Sequence, residues 1–307
     1  MLTSRWRHRM GYVAQVGELA QPFRSASKPQ LWKAGVLFVL IAWLYFPIIS
    51  RLAEQCWNDP NWSHGFLVPI FAIFVLWRER SQLAGLMPHP SAWGVPLLVL
   101  ATGVLVVGVL GAELFLSRVS FLLLMASLIV LFLGSQYFRA VLFPWAFLIL
   151  MIPPPAILLN QITFPLQIEA SKLAGMLLPL VHVPVLREGN VIRIPTMSLE
   201  VAEACSGIRS LLSLVTLAII YGYLAETRKP VRILLVLASV PIAVVANGLR
   251  IVGTGLLAQH WGSSAAEGFL HSFSGWLIFL LSLALLILFH RLLLLFGHAW
   301  ETRQDAV

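Results

Sequence analysis

Apolar runs recur along the chain, separated by short polar stretches. They cover Leu31–Ser50, His64–Trp77, Trp93–Gly111, Leu114–Gly134, Ala140–Leu159, Ser206–Leu224, Ile233–Ala258 and Ser272–Phe296. A helix that crosses the ~30 Å hydrocarbon layer needs about 20 apolar residues, and only His64–Trp77 is clearly short of that. A ninth stretch, Ile162–Val183, carries Gln167, Glu169 and Lys172 and contains Pro165 and Pro179. Its polar content predicts a helix lying in the membrane interface rather than a span.

Between Val183 and Val201 the period changes. The segment VPVLREGNVIRIP sets β-branched residues on both sides of Glu188-Gly189-Asn190, a turn signal that supplies positive φ. MSLEV then alternates like a further strand. A small β-hairpin or three-stranded patch is expected on the outer face, because open strand edges in lipid would leave backbone groups unpaired. MIPPPAILLN (Met151–Asn160) ends the fifth run: three successive prolines remove N–H donors and disfavour a continuing helix. The Gly103/Gly108/Gly111 spacing reads as helix packing.

Composition agrees with lipid as the main solvent. Of 307 residues, 59% are hydrophobic and 11% charged, and mean hydropathy is +0.87. The formal charge of +8 does not indicate nucleic acid, because the basic residues lie between apolar runs and set orientation in the bilayer. With a cytoplasmic N-terminus and eight spans, fourteen of the 21 Lys and Arg residues fall inside. Five fall in outer loops (Arg51, Arg118, Lys172, Arg187 and Arg193), and Arg209 and Arg250 lie within or beside helices. A ninth span would move Glu226–Arg232 (ETRKPVR) outside, against the positive-inside tendency. The reading is an all-α polytopic membrane protein of about eight transmembrane helices, with an interfacial helix and a small β-hairpin patch on the outer face. Residues 1–30 form a basic cytoplasmic segment without the apolar core of a signal peptide. Residues 31–296 form one transmembrane domain, and 297–307 a cytoplasmic tail.

The same topology brings three reactive side chains to the outer face. Cys205, in EACSGIRSL, stands where a strand-like segment runs into a helix, and a helix N-terminus favours the nucleophilic thiolate. The plain alternative is a small, buried, inert cysteine. Glu203 and Arg209 flank it. Arg250, in ANGLRI, is a charge inside an apolar run, which costs roughly 2.5–3.5 kcal/mol on insertion scales. It suits a developing oxyanion or a substrate carboxylate, with snorkelling to lipid phosphate as the alternative. Asn247 lies one helical turn before it. His271, in GFLHSFSGW, titrates near neutral pH and is a candidate acid or base, or else simply caps a helix. His64, in NWSHGFLVP, is its rival at the same face. Two cysteines, Cys56 and Cys205, make no disulfide framework, and no bond between them is expected. No metal-ligand spacing or Walker loop occurs, so no metal or cofactor is expected.

These motifs, NWSHGFLVP, MIPPPAILLN, REGNVIRIP with LEVAEACSGIRSL, ANGLRI and FLHSFSGW, follow one another in an order that resembles the exosortase family, of the type called exosortase A, over about residues 35–296. The resemblance implies a Cys, Arg and His site at Cys205, Arg250 and His271. It implies protein substrates with a C-terminal Pro-Glu-Pro signal (the PEP-CTERM type), a transmembrane helix and a basic tail. The setting it implies is the inner membrane of an exopolysaccharide-making bacterium, with the site facing the periplasm. Some relatives carry an extra C-terminal domain, so a separate accessory protein is a possible partner beside membrane lipids. Two other classes remain open: a polysaccharide transporter or polymerase-like protein, and a non-catalytic envelope assembly protein. Substitution of Cys205 by Ala separates them, since both predict retained function.

Overall fold

The computed structural model describes residues 28–200, 207–266 and 269–304, which form two compact units. Unit 1 comprises residues up to Asn58 together with Gly65–Pro153, and unit 2 comprises Asp59–His64 and Pro154 onward.

Unit 1 is helical. Helix α1 (Lys28–Asn58) is followed by a 3-10 segment, Pro60–Phe66, that leads into α2 (Leu67–Arg78). Helices α3 (Gly94–Leu110) and α4 (Leu114–Phe132) form a closely packed pair, and α5 (Leu142–Phe147) packs on α2. Gly108 shows why the α3–α4 pair is close. A Cβ there would stand 2.7 Å from the Ser117 backbone nitrogen, while Gly103, at the same expected seam, meets nothing. Glu113 caps α4 by accepting from the Leu116 N–H at 2.7 Å. The core gathers Tyr45, Ala101, Leu105 and Leu124, and the Tyr45 hydroxyl shares a hydrogen bond with Ser120 Oγ at 3.1 Å.

The fifth apolar run is not one helix. The chain leaves helical geometry at Ile152–Pro155, where the three prolines sit, and a new helix, α6 (Ala156–Leu180), begins beyond them. The expected span Ala140–Leu159 is therefore divided. Helix α6 runs for 25 residues, continues through Pro165 and ends at Leu180 beside Pro179, so the stretch Ile162–Val183 is helical as far as Leu180 and its helix begins earlier, at Ala156. Among the described residues, five helices are long and apolar enough to cross a membrane, or six with the broken pair counted as one span. Two shorter apolar helices, Gly94–Leu110 and Leu211–Ala225, accompany them.

In unit 2, α6 leads into the strands β1 (Leu186–Glu188), β2 (Val191–Ile194) and β3 (Met197–Glu200). They form an antiparallel sheet in the order β1-β2-β3. Glu188 pairs with Val191 across a two-residue turn, and Gly189 has φ of +64°. Ser171 and Arg187 both donate to the Gly189 carbonyl at 2.9 Å, tying the turn to α6 and to β1. Strand β2 alternates as its sequence predicts. Ile192 and Ile194 are buried against Ala170, Ala174 and Leu178 of α6, while Arg193 faces outward and pairs with Glu188 at 3.0 Å.

Beyond the sheet lie α7 (Gly207–Ala225), α8 (Lys229–Trp261) and α9 (Phe269–Gln304). Helix α8 is the hub of the unit: α6, α7 and α9 all pack against it. Its first turn is fixed by a polar cluster around Glu226, a buried residue between α7 and α8. One carboxylate oxygen accepts from the backbone N–H groups of Thr227 and Arg228 at 2.7 and 2.8 Å, and the other from Arg228 Nη2 at 3.1 Å. His290 of α9 approaches at 3.4 Å, and the Tyr221 hydroxyl of α7 meets the same imidazole at 2.9 Å. The Arg228 guanidinium and N–H hold the carboxyl down at about 2, although burial opposes this.

Candidate functional site

Arg250 and Asn247 lie three residues apart on α8 and are 5% and 6% exposed. Spacing of i and i+3 sets them on one face of the helix. Arg250 stands 21 residues beyond Lys229, roughly 30 Å along the axis at 1.5 Å per residue, so the pair is far from the Glu226 cluster. Ala246 and Ile251 beside them are core residues, and Ile251 joins the cluster beneath the sheet. A cation at this depth is held by a packed helix face, not by a surface loop.

A small cavity of about 20 Å³ opens beside Asn247, lined also by Thr163 and Gln167 of α6, Leu211 of α7, and Ala243 of α8. Thr163 is satisfied locally, donating to the Leu159 carbonyl at 2.9 Å. The Asn247 Oδ1 is buried and accepts no hydrogen bond from any described group. A carboxamide oxygen left uncommitted in this way can accept from a peptide N–H. Leu211 lies in the second turn of α7, so this cavity sits at the end of α7 that the chain enters after Cys205.

Cys205 and Glu203 lie outside the described residues. Arg209 falls in the first turn of α7, and His271 is the third residue of α9. Both helices pack against α8, so the elements that hold Arg209, Arg250 and His271 form one group. His64 sits in the 3-10 segment, half-buried, with its ring 5.8 Å from that of Trp62. Among the described residues no group of three metal-ligating side chains occurs. The expectation about a Cys56–Cys205 bond concerns Cys205 and so lies outside the described residues; Cys56 itself is buried in unit 1.

Two residues were assigned differently from sequence. Arg118, counted in an outer loop, lies within α4 and is 4% exposed. Glu226, passed over as part of a basic loop, is buried and organises three helices. The signal for Arg118 was present: it follows the capping Glu113 by five residues, inside the apolar run.

Long apolar helices and a small sheet define a multi-pass helical membrane protein. A family model for transmembrane exosortases matches residues 56–288, well over half of the chain. The protein belongs to the transmembrane exosortase family. No curated protein and no solved structure matches it.

Proposed function

We propose that the protein is a cysteine-type peptidase or transpeptidase of this family, with Cys205, Arg250 and His271 as its catalytic group. The observation that carries the reading is the helix group in unit 2. The buried Arg250 sits on α8, which packs against both the helix that follows Cys205 and the helix that holds His271. Cys205 stands two residues before the described start of α7, and a helix N-terminus favours a thiolate there.

In this reading the Cys205 thiolate attacks the scissile carbonyl, and the C–S bond forms as charge gathers on oxygen. Arg250 stabilises that oxyanion. Collapse breaks the C–N bond, His271 delivers a proton to the departing amine, and a thioester remains. Water or an amine acceptor then releases the acyl group. The substrates are exported proteins with a C-terminal Pro-Glu-Pro signal and one transmembrane helix, cut at the periplasmic face of the inner membrane. Envelope or exopolysaccharide assembly is the process served.

Processing of such a substrate in cells, followed by its shift in size, tests the reading. Cys205→Ala should leave the substrate full-length while the enzyme remains in the membrane. Normal processing by that variant would support the transporter or assembly readings instead.

A further inference from the structure

Strand β3 forms one edge of the sheet, and the strand register determines which of its backbone groups face outward. Two-residue turns close the pairs Glu188–Val191 and Ile194–Met197, and a pair that closes such a turn exchanges both hydrogen bonds. Bonded pairs alternate with pairs that exchange none, so Ile192–Leu199 is bonded and Arg193–Ser198 is not. The N–H and C=O of Ser198 and of Glu200 therefore point away from β2, toward the edge.

Ser198 is exposed, and no described backbone group outside the sheet pairs with it. The elements that pack most closely against β3 are β2 beside it and α8, which meets the buried Leu199 on the inner face of the sheet. An exposed edge of this kind accepts an extended peptide as one more strand. Cys205 follows Glu200 by five residues, which reach at most about 18 Å, so a peptide on this edge lies a short extended segment from the nucleophile. Ser198 and Arg193 are directly opposite and share the face of the sheet turned away from Leu199. Arg193 pairs there with Glu188, each side chain more than half exposed, and an ion pair so exposed is weak enough to be exchanged.

Resting on the substrate class given above, we propose that the Pro-Glu-Pro signal adds antiparallel to β3 with its glutamate opposite Ser198. The glutamate N–H donates to the Ser198 carbonyl, and the Ser198 N–H donates to the glutamate carbonyl. The carboxylate reaches over the small Ser198 side chain to Arg193, two strand spacings or about 10 Å away, a gap that an arginine and a glutamate side chain close together. The period of two gives both prolines a place. In this register their nitrogens, which cannot donate, face away from β3, where no bond is needed and where they block a further strand. A slip of one residue would set a proline against the edge and lose the donor. The residue before a proline is already biased toward extended geometry, which lowers the cost of ordering the signal.

Binding to full-length Cys205→Ala protein in a neutral detergent tests this without depending on catalysis. The probe is a labelled substrate that carries the signal and its transmembrane helix. Replacing the glutamate N–H by an ester oxygen should weaken binding by about threefold to tenfold, the worth of one hydrogen bond. Ser198→Pro should weaken it to a similar extent, because the lost N–H faces the edge and not β2. Ser198→Ala keeps that N–H and should bind as the parent does. Arg193→Glu should weaken binding of the Pro-Glu-Pro substrate severalfold, and a Pro-Lys-Pro substrate should recover it. The ester substrate leaves the protein unchanged, so it decides the case if a variant does not fold. No binding of the native substrate, parent-like binding of the ester, no loss in folded Ser198→Pro, or no gain for Pro-Lys-Pro on Arg193→Glu would each overturn the proposal. A substrate that binds in this way and is not cut by the wild-type protein would count against the catalytic reading instead.

Discussion

Arg250 was legible from sequence because a guanidinium in an apolar run has no cheap explanation, and its burial on α8 agrees. Arg118 was not legible in the same way. The run Leu114–Gly134 already starts before it, but a charge near the start of a run reads as exposed at the surface, and only tertiary packing shows that α4 buries it. Cys205 was readable as chemistry but its surroundings fall outside the described residues. Arg250→Lys should lower substrate cleavage by about 10²-fold or more, the loss seen on removing an oxyanion donor, because an ammonium lacks the planar multi-donor head. Single-turnover cleavage assays on purified protein check this, and wild-type rates in the Lys variant would count against the role. Asn247→Ala should weaken substrate use while leaving the melting temperature within a few degrees, since its Oδ1 has no hydrogen bond among the described groups to lose. A collapse in stability with unchanged cleavage would show it to be structural.

At the scale of elements, the sheet was the most readable part. Alternation fixed which residues of β2 face inward, and Glu188-Gly189-Asn190 fixed the turn. The prolines of MIPPPAILLN marked a true break for the same reason: a lost donor and a steric clash are local properties. The continuity of α6 through Pro165 was not readable, because the neighbours that hold a helix together across a proline come from elsewhere in the chain. Gly189→Val forces a β-branched residue to positive φ, at a cost of about 1–2 kcal/mol. A lower melting temperature in detergent, with intact α-helical signal, is the expected result. The Glu226 cluster gives a pH prediction. Its carboxyl lies below the usual range in the folded protein, so the folded state binds fewer protons there than the unfolded state. The stabilisation is present above about pH 4.5 and is lost as pH falls toward about 2. Glu226→Gln should therefore lower the melting temperature at pH 7, and the gap from wild type should narrow between pH 4.5 and 2. A constant gap would mean that the carboxylate charge is not what holds α7, α8 and α9.

For the whole molecule, apolar runs and charge placement read out a polytopic helical membrane protein, and order of motifs read out the family. The division into two units was not readable, because the spacing of apolar runs does not say which runs pack together. Orientation is testable at the loop between α7 and α8. In a background lacking both native cysteines, Thr227→Cys should resist an impermeant maleimide in intact cells and react after permeabilisation. Labelling in intact cells would reverse the assignment of faces and move the candidate site to the cytoplasm. The central claim is covalent. Wild-type protein mixed with a substrate truncated after its signal, quenched in acid and weighed by intact-mass spectrometry, should show an acyl adduct on the Cys205 peptide that hydroxylamine releases. The adduct should be absent from Cys205→Ala. Substrate cleavage with no adduct at Cys205, or cleavage that persists in Cys205→Ala, would contradict the account.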